Sequence, residues 1–169
     1  GSGDPNPLVA GKGIAQLREN GVEVTEHVLE EECRRLNFIF FHYIPKKRPY
    51  VALKYAMTLD GKIAACTGVS RWITGEAARA HVHQLRHQYR GILAGVGTVL
   101  ADDPQLTCRL PEGRSPVRVV CDTRLRTPVT AQVVRTAGEV PTLLATCCGE
   151  EERWAPYQAA GCEILRLPE

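Results

Sequence analysis

Four short apolar runs, Gly91–Gly95, Val117–Cys121, Thr142–Thr146 and Glu163–Leu167, have the length of buried strands, and polar loops or helical patterns separate them. The clearest helix between strands is the stretch from Glu150 to Ala160, stopped by Gly161. Strands and helices in succession predict a mostly parallel sheet covered by helices. Polar residues close the first two strands, Val96-Gly97-Thr98 after one and Asp122-Thr123 after the other. Open α/β sheets bind ligands outside the carboxyl ends of their strands, so these are candidate site positions.

Val96-Gly97-Thr98 leads into one helical turn, Val99 to Ala101. Such a turn can aim backbone N–H groups at a phosphate, and small residues can equally serve close packing of strand on helix. Both readings stand at this point. Asp102-Asp103-Pro104 ends the turn, and Leu106 to Arg109 continues as an extended segment carrying an arginine.

A long helix precedes the first of these strands, with Thr74 as N-cap, Glu76 in its first turn and an end at Gln88 or Tyr89. Ala78, Val82, Leu85 and Tyr89 form its core face, and Arg79, His83, Arg86 and Arg90 form a second stripe. A charged stripe is usually a solvated face. This one carries more weight because the loops around it are also polar and glycine-rich. His83 and His87 are four apart but lack a third ligand, so they read as surface histidines.

Upstream the pattern differs. Asp4-Pro5-Asn6-Pro7 is turn chemistry, Gly11 to Gly13 stay irregular, and Ile14 to Asn20 reads as a short polar helix ended by Gly21. Gly1-Ser2-Gly3 carries no structural weight. Val22 to Val24 alternates like a brief strand, and Thr25 is placed to cap a helix bearing Leu29, Cys33, Leu36 and Phe40 at helical spacing. Pro45-Lys46-Lys47-Arg48-Pro49 reads as an exposed linker between two units. Tyr50 to Tyr55 then reads as a largely buried strand, with Lys54 either snorkelling outward or placed at the edge of a cleft.

Lys and Arg number 21 against 19 Asp and Glu, a net charge of +2, so any recognition of an anion must be local, and neither nucleic acid nor a membrane is an expected partner. Seven cysteines without a C-x-x-C pair point to neither a disulfide framework nor a common zinc site. No signal peptide or apolar run of bilayer length is visible, so the expected compartment is the cytoplasm.

Three segments carry a resemblance: Tyr50 to Ala64 (YVALKYAMTLDGKIA), Ser70-Arg-Trp-Ile-Thr74, and Gly95 to Arg109 (GVGTVLADDPQLTCR). Together they resemble the bifunctional riboflavin biosynthesis proteins, in which a pyrimidine deaminase is fused to a 5-amino-6-(5-phosphoribosylamino)uracil reductase. Asp4 to Gly13 resembles the late part of the deaminase domain, whose zinc signature, H-x-E with P-C-x-x-C, is absent here. The resemblance implies no metal in this chain, zinc belonging to the deaminase part.

It also implies a dihydrofolate-reductase-like three-layer α/β/α fold with a mostly parallel sheet. Residues 50–169 would be the N-terminal part of the reductase, 45–49 a linker, and 1–44 a small α/β remnant of a cytidine-deaminase-like domain. NADPH is the implied cofactor, held by Ala56, Trp72, Thr98, Asp102 and Thr123. The phosphoribosyl substrate would lie against Ser70, Arg86, Leu106 and Arg109, with Lys54 as the catalytic residue near the ribose, in a protein that is a homodimer at full length.

Chemistry suits that division. Arg86 and Arg109 can converge on one phosphate dianion, Asp102 can accept from cofactor hydroxyls, and Trp72 offers a flat apolar wall. In this family the reductase continues past the position of Glu169 with a glycine-rich segment for the pyrophosphate and an acidic residue at the substrate. The expectation is therefore a partial site with weak or absent NADPH binding. The alternatives are a non-catalytic fragment keeping only packing or dimerisation surface, and a related reductase with another substrate. A non-phosphorylated substrate would have no need of both arginines.

Overall fold

The computed structural model describes residues 1–168. The chain divides into two compact units, the first Gly1–Tyr55 and the second beginning at Ala56.

The first unit holds three helices, α1 (Lys12–Glu19), α2 (Glu30–Leu36) and α3 (Phe38–Lys46). No residue from 1 to 55 is buried, so local bonds define its shape. Glu30 and Glu31 at the start of α2 pair with Arg34 and Arg35 one turn on, at 3.2 and 3.5 Å. Such exposed pairs contribute only about 0.3–0.5 kcal/mol each. The rings of Phe38 and Tyr50 meet edge to face at 4.9 Å.

This unit departs from the sequence reading in four places. Thr25 caps nothing, because α2 starts after Leu29, which adopts a left-handed conformation. The single expected helix is broken at Asn37, whose side-chain amide donates to the Cys33 carbonyl at 3.0 Å, the kind of local bond that competes with helix propagation. Helix α3 runs through Pro45 to Lys46, into the expected linker; a proline one residue from a helix end forfeits only one main-chain bond. Val22–Val24 and Tyr50–Tyr55 form no strand, since neither has a ladder partner among the described residues.

The second unit is built on four parallel strands, β1 (Gly91–Gly95), β2 (Val117–Cys121), β3 (Thr142–Thr146) and β4 (Glu163–Arg166), in the order β1-β2-β3-β4. The crossovers are α5 (Val96–Asp102), α6 (Gln132–Arg135), and a 3-10 turn at Glu151–Arg153 followed by α7 (Ala155–Ala159). Pro156 sits at the start of α7, where a missing N–H costs nothing and where it separates the two turns expected as one helix. Helix α4 (Glu76–Gln88) precedes the sheet, with Gly75 rather than Thr74 as its N-cap.

Alternation decides the core. Ala94, Val120, Leu144 and Ile164 stand in register across the sheet and pack with Val96 and Val99 of α5, Val133 and Val134 of α6, and Tyr157 of α7. On the other face Leu93, Val117 and Leu165 remain 68, 43 and 44% exposed. Successive parallel strands joined by right-handed crossovers place their helices on one side, and that side holds the core.

Candidate functional site

Helix α4 organises the site. Arg79, near its start, donates from Nη1 to the Thr74 carbonyl at 2.6 Å and stacks its guanidinium over the Trp72 ring, 4.5 Å from the centroid. One turn on, His83 Nδ1 accepts the backbone N–H of Arg109 at 3.2 Å. Arg86 then donates from Nη1 to the Thr107 carbonyl at 2.9 Å, and His87 Nδ1 accepts the N–H of Arg114 at 3.0 Å. The stripe read as cationic is thus a set of clamps on two loops, residues 70–74 and 107–114. Arg90, its last member, is exposed.

Two guanidinium groups converge here without a counter-ion. Arg86 is held below the ordinary arginine value, first by burial and then by the charge of Arg109, with Cys108 acting in the opposite sense. Its Nε is buried with no hydrogen-bond partner. Among the described residues, neither arginine forms an ion pair with a carboxylate. Burial, then Arg86 and Arg109, also push His83 below its ordinary value. A pair of cations with an unused buried donor is a site that gains from an oxyanion.

The other expected residues lie as follows. Ser70 and Trp72 line a cavity of about 580 Å3 together with Asp60, Lys62, Cys66 and Arg71. Trp72 is 71% exposed, so its ring face is available. Thr98 in the first turn of α5, Asp102 at the end of that helix and Thr123, two residues after the end of β2, are all exposed. The Thr123 carbonyl accepts from the Cys147 N–H at 3.1 Å and from Thr146 Oγ1 at 3.2 Å, which ties the ends of β2 and β3 together. A Cβ placed at Gly95 or Gly97 would meet nothing within 4 Å. Packing therefore does not explain the small residues after β1, and open space remains beside them.

Leu106 differs from its expected role. Its side chain is 7% exposed and belongs to the core, and its φ of 57° turns the chain at that point. Any contact it offers outward is made by its main chain. Ala56 is half-buried at the start of the second unit, and Lys54 is exposed on the extended end of the first.

The sequence reading missed Arg118. It is fully buried in β2 and uses all five of its N–H donors, on Thr142 Oγ1, Thr136 Oγ1 and the carbonyls of Gln105, Thr136 and Val140, at 2.8–3.1 Å. The Gln105 bond anchors the start of the Leu106–Arg109 segment. An arginine at an inward position of an otherwise apolar strand was the available signal. Asp122 is also buried; its Oδ2 accepts from the N–H and Oγ1 of Thr127 at 2.6 and 2.7 Å and closes the loop that begins with Thr123. All seven cysteines are free, and no group of metal-ligating side chains is assembled among the described residues. Likewise, no described helix is long and apolar enough to cross a membrane.

Residues 49–162 match the family described as the RibD C-terminal domain. Riboflavin biosynthesis protein RibD of Actinobacillus pleuropneumoniae is 57% identical over 165 residues, covering 98% of this chain and 44% of that protein. The protein of the same name from Aquifex aeolicus is 46% identical over 165 residues, covering 97% and 46%. Among solved structures, the Thermotoga maritima diaminohydroxyphosphoribosylaminopyrimidine deaminase/5-amino-6-(5-phosphoribosylamino)uracil reductase superposes with a TM-score of 0.80 at 40% identity, over 98% of this chain and 52% of that one. Acinetobacter baumannii RibD gives 0.79 at 34% identity, over 99% and 47%. The chain spans about half the length of the relatives it matches. With these neighbours, the four-stranded parallel sheet and its helices are the dihydrofolate-reductase-like α/β fold expected from the sequence.

Proposed function

The chain belongs to the RibD C-terminal domain family, and from that premise we propose that it carries the reductase portion of a riboflavin biosynthesis enzyme. The reaction is the NADPH-dependent reduction of 5-amino-6-(5-phosphoribosylamino)uracil to its ribitylamino product. The single observation that carries this reading is the unpaired cation pair, Arg86 with its unused buried Nε and Arg109 beside it, which suits the 5-phosphate of the substrate.

The residues present also fit the nucleotide cofactor by their chemistry. Trp72 offers an exposed flat ring for a nicotinamide or ribose face, and Thr98, Asp102 and Thr123 offer hydroxyl and carboxylate groups for ribose hydroxyls and amides. Ala56 completes the set, and the open space at Gly95 and Gly97 leaves room for a ligand against the end of β1. When bound, NADPH supplies the hydride for C1 of the ring-opened ribosyl imine.

The chain's own work is placement and proton supply. Arg86 and Arg109 fix the phosphate end, Ser70 and the Leu106 main chain line the sugar, and helix α4 keeps these groups in register. Reduction of the C=N bond moves its electron pair to nitrogen, where a proton must arrive, and we assign that proton to the Lys54 ammonium. In this reading residues 1–44 are the end of a deaminase domain, 45–49 a linker and 50–169 the N-terminal part of the reductase, of a cytoplasmic protein that acts on a small molecule and is a homodimer at full length.

Loss of NADPH absorbance on addition of the phosphoribosylaminouracil is the direct test. An absorbance loss that depends on Arg86 supports the reading. No loss, together with no binding of the substrate, leaves the chain as a non-catalytic part and overturns it.

A further inference from the structure

We propose that His83 and His87 are positioning residues which, as neutral imidazoles, latch the Arg109 loop onto α4 through two Nδ1 acceptors one helical turn apart. The proposal rests on Arg86 and Arg109 being the phosphate anchor and adds what holds the second of them in place.

Four atoms carry it. The N–H groups of Arg109 and Arg114 point at the two rings, at 3.2 and 3.0 Å. An i, i+4 spacing puts both histidines on one face of α4. Between the two donors the loop folds tightly, closed by the Gly113 N–H on the Leu110 carbonyl at 2.9 Å. A Cβ at Gly113 would stand 2.4 Å from Cys108 Sγ and 2.9 Å from Leu110 Cβ, so only glycine lets the loop close this far. Further bonds run alongside: Cys108 Sγ donates to the His83 carbonyl, and Arg114 Nη2 to the His87 carbonyl, both at 3.4 Å. Cys108 N–H donates to Ser115 Oγ at 3.1 Å. The bonds to α4 span 25 to 27 positions, so they fix where the loop sits on the helix, while the local bonds shape its turn.

An imidazole accepts at Nδ1 only while that nitrogen is unprotonated. Protonation turns each ring into a donor facing a donor, and both latch bonds are lost. The charged groups facing His83 are Arg86 on its own helix and Arg109 on the loop, with the Cys108 thiol against its backbone; Arg114 faces His87. No carboxylate lies at ion-pair distance from either ring among the described residues. At His83 the surroundings thus favour the neutral form that the latch requires.

The test follows amide signals of the 15N-labelled protein from about pH 8 to about pH 5, through the histidine range. Expected are amide shifts of Arg109 and Arg114 that titrate together with the imidazoles. His83→Asn, which keeps an acceptor near the Nδ1 position but cannot titrate, flattens the Arg109 curve alone, and His87→Asn flattens that of Arg114 alone. Amides that ignore pH, or an Arg109 curve unchanged in His83→Asn, overturn the latch. In parallel, ribose 5-phosphate titrations at neutral pH should show roughly ten-fold weaker binding for His83→Phe, the loss of about one hydrogen bond, and near wild-type binding for His83→Asn. A Phe variant that folds and binds as tightly as wild type also overturns it. The amide titration decides the latch even if wild type fails to bind ribose 5-phosphate, a result that would instead overturn the phosphate reading.

Discussion

Arg86 and Arg109 are brought near enough for the charge of one to act on the other, although 23 positions separate them in the chain (109 minus 86), one on a helix and one on the loop that this helix clamps. Arg86 spends Nη1 on the Thr107 carbonyl and keeps Nε buried and unused. The first donor builds the loop and the second has no partner within the protein, so one side chain is both support and candidate anchor.

Arg86→Ala should therefore raise KM for a phosphorylated substrate by roughly 10- to 150-fold, the loss of about 1.5–3 kcal/mol for hydrogen bonds to a charged group. Arg86→Lys should recover only part, because an ammonium lacks the planar fork. Steady-state kinetics against the dephosphorylated substrate provide the control; an equal change for both substrates would remove the phosphate from the account.

Arg118→Met removes five hydrogen bonds at once and takes the donor away from the Gln105 carbonyl and from two threonine hydroxyls, while the Thr136 and Val140 carbonyls keep other donors. We expect destabilisation of at least about 3 kcal/mol, read as a lower urea midpoint. An unchanged midpoint would show that these groups rehydrate freely.

The stack of Arg79 on Trp72 is open to fluorescence, because the only other tryptophan is Trp154. In a Trp154→Phe background, Arg79→Ala should shift the Trp72 emission, because it removes an exposed cation–π contact of about 0.5–1 kcal/mol from the ring. Emission indifferent to Arg79 would mean the ring is held by other contacts.

Stability should fall in acid in a way that depends on His83. Folding lowers its proton affinity, by burial first and then by Arg86 and Arg109. The unfolded chain thus binds the proton more readily, so the stabilising contribution is complete above the ordinary histidine value of 6.5 and declines as pH drops through and below it. Thermal unfolding between about pH 8 and about pH 5 should show this decline reduced in His83→Asn. A variant with an unaltered pH slope would remove His83 from the linkage.

How much of this was legible beforehand differs by element. The strands Gly91–Gly95, Val117–Cys121 and Thr142–Thr146 stand where their apolar runs placed them, because each run found a parallel ladder partner. The Tyr50–Tyr55 run has the same composition and forms no strand, since composition does not supply a ladder partner. At the site, Arg86 and Arg109 stood out as charges in a polar, glycine-rich context. Arg118 did not, as a buried arginine is paid for by carbonyls from α6, β3 and the Gln105 loop that no local pattern links to it.

By itself the sequence determined the period of each element and the residue types available, hence a parallel α/β sheet with polar residues at its strand ends. Only the tertiary structure decided which of those residues meet. His83 and His87 are ordinary surface histidines by spacing alone; they become acceptors because the 108–115 loop folds back across α4 and brings two amide donors to their rings. Helical periodicity reports a face, while hydrogen bonds between distant segments depend on where the chain returns, and that is set by the packing of the whole sheet.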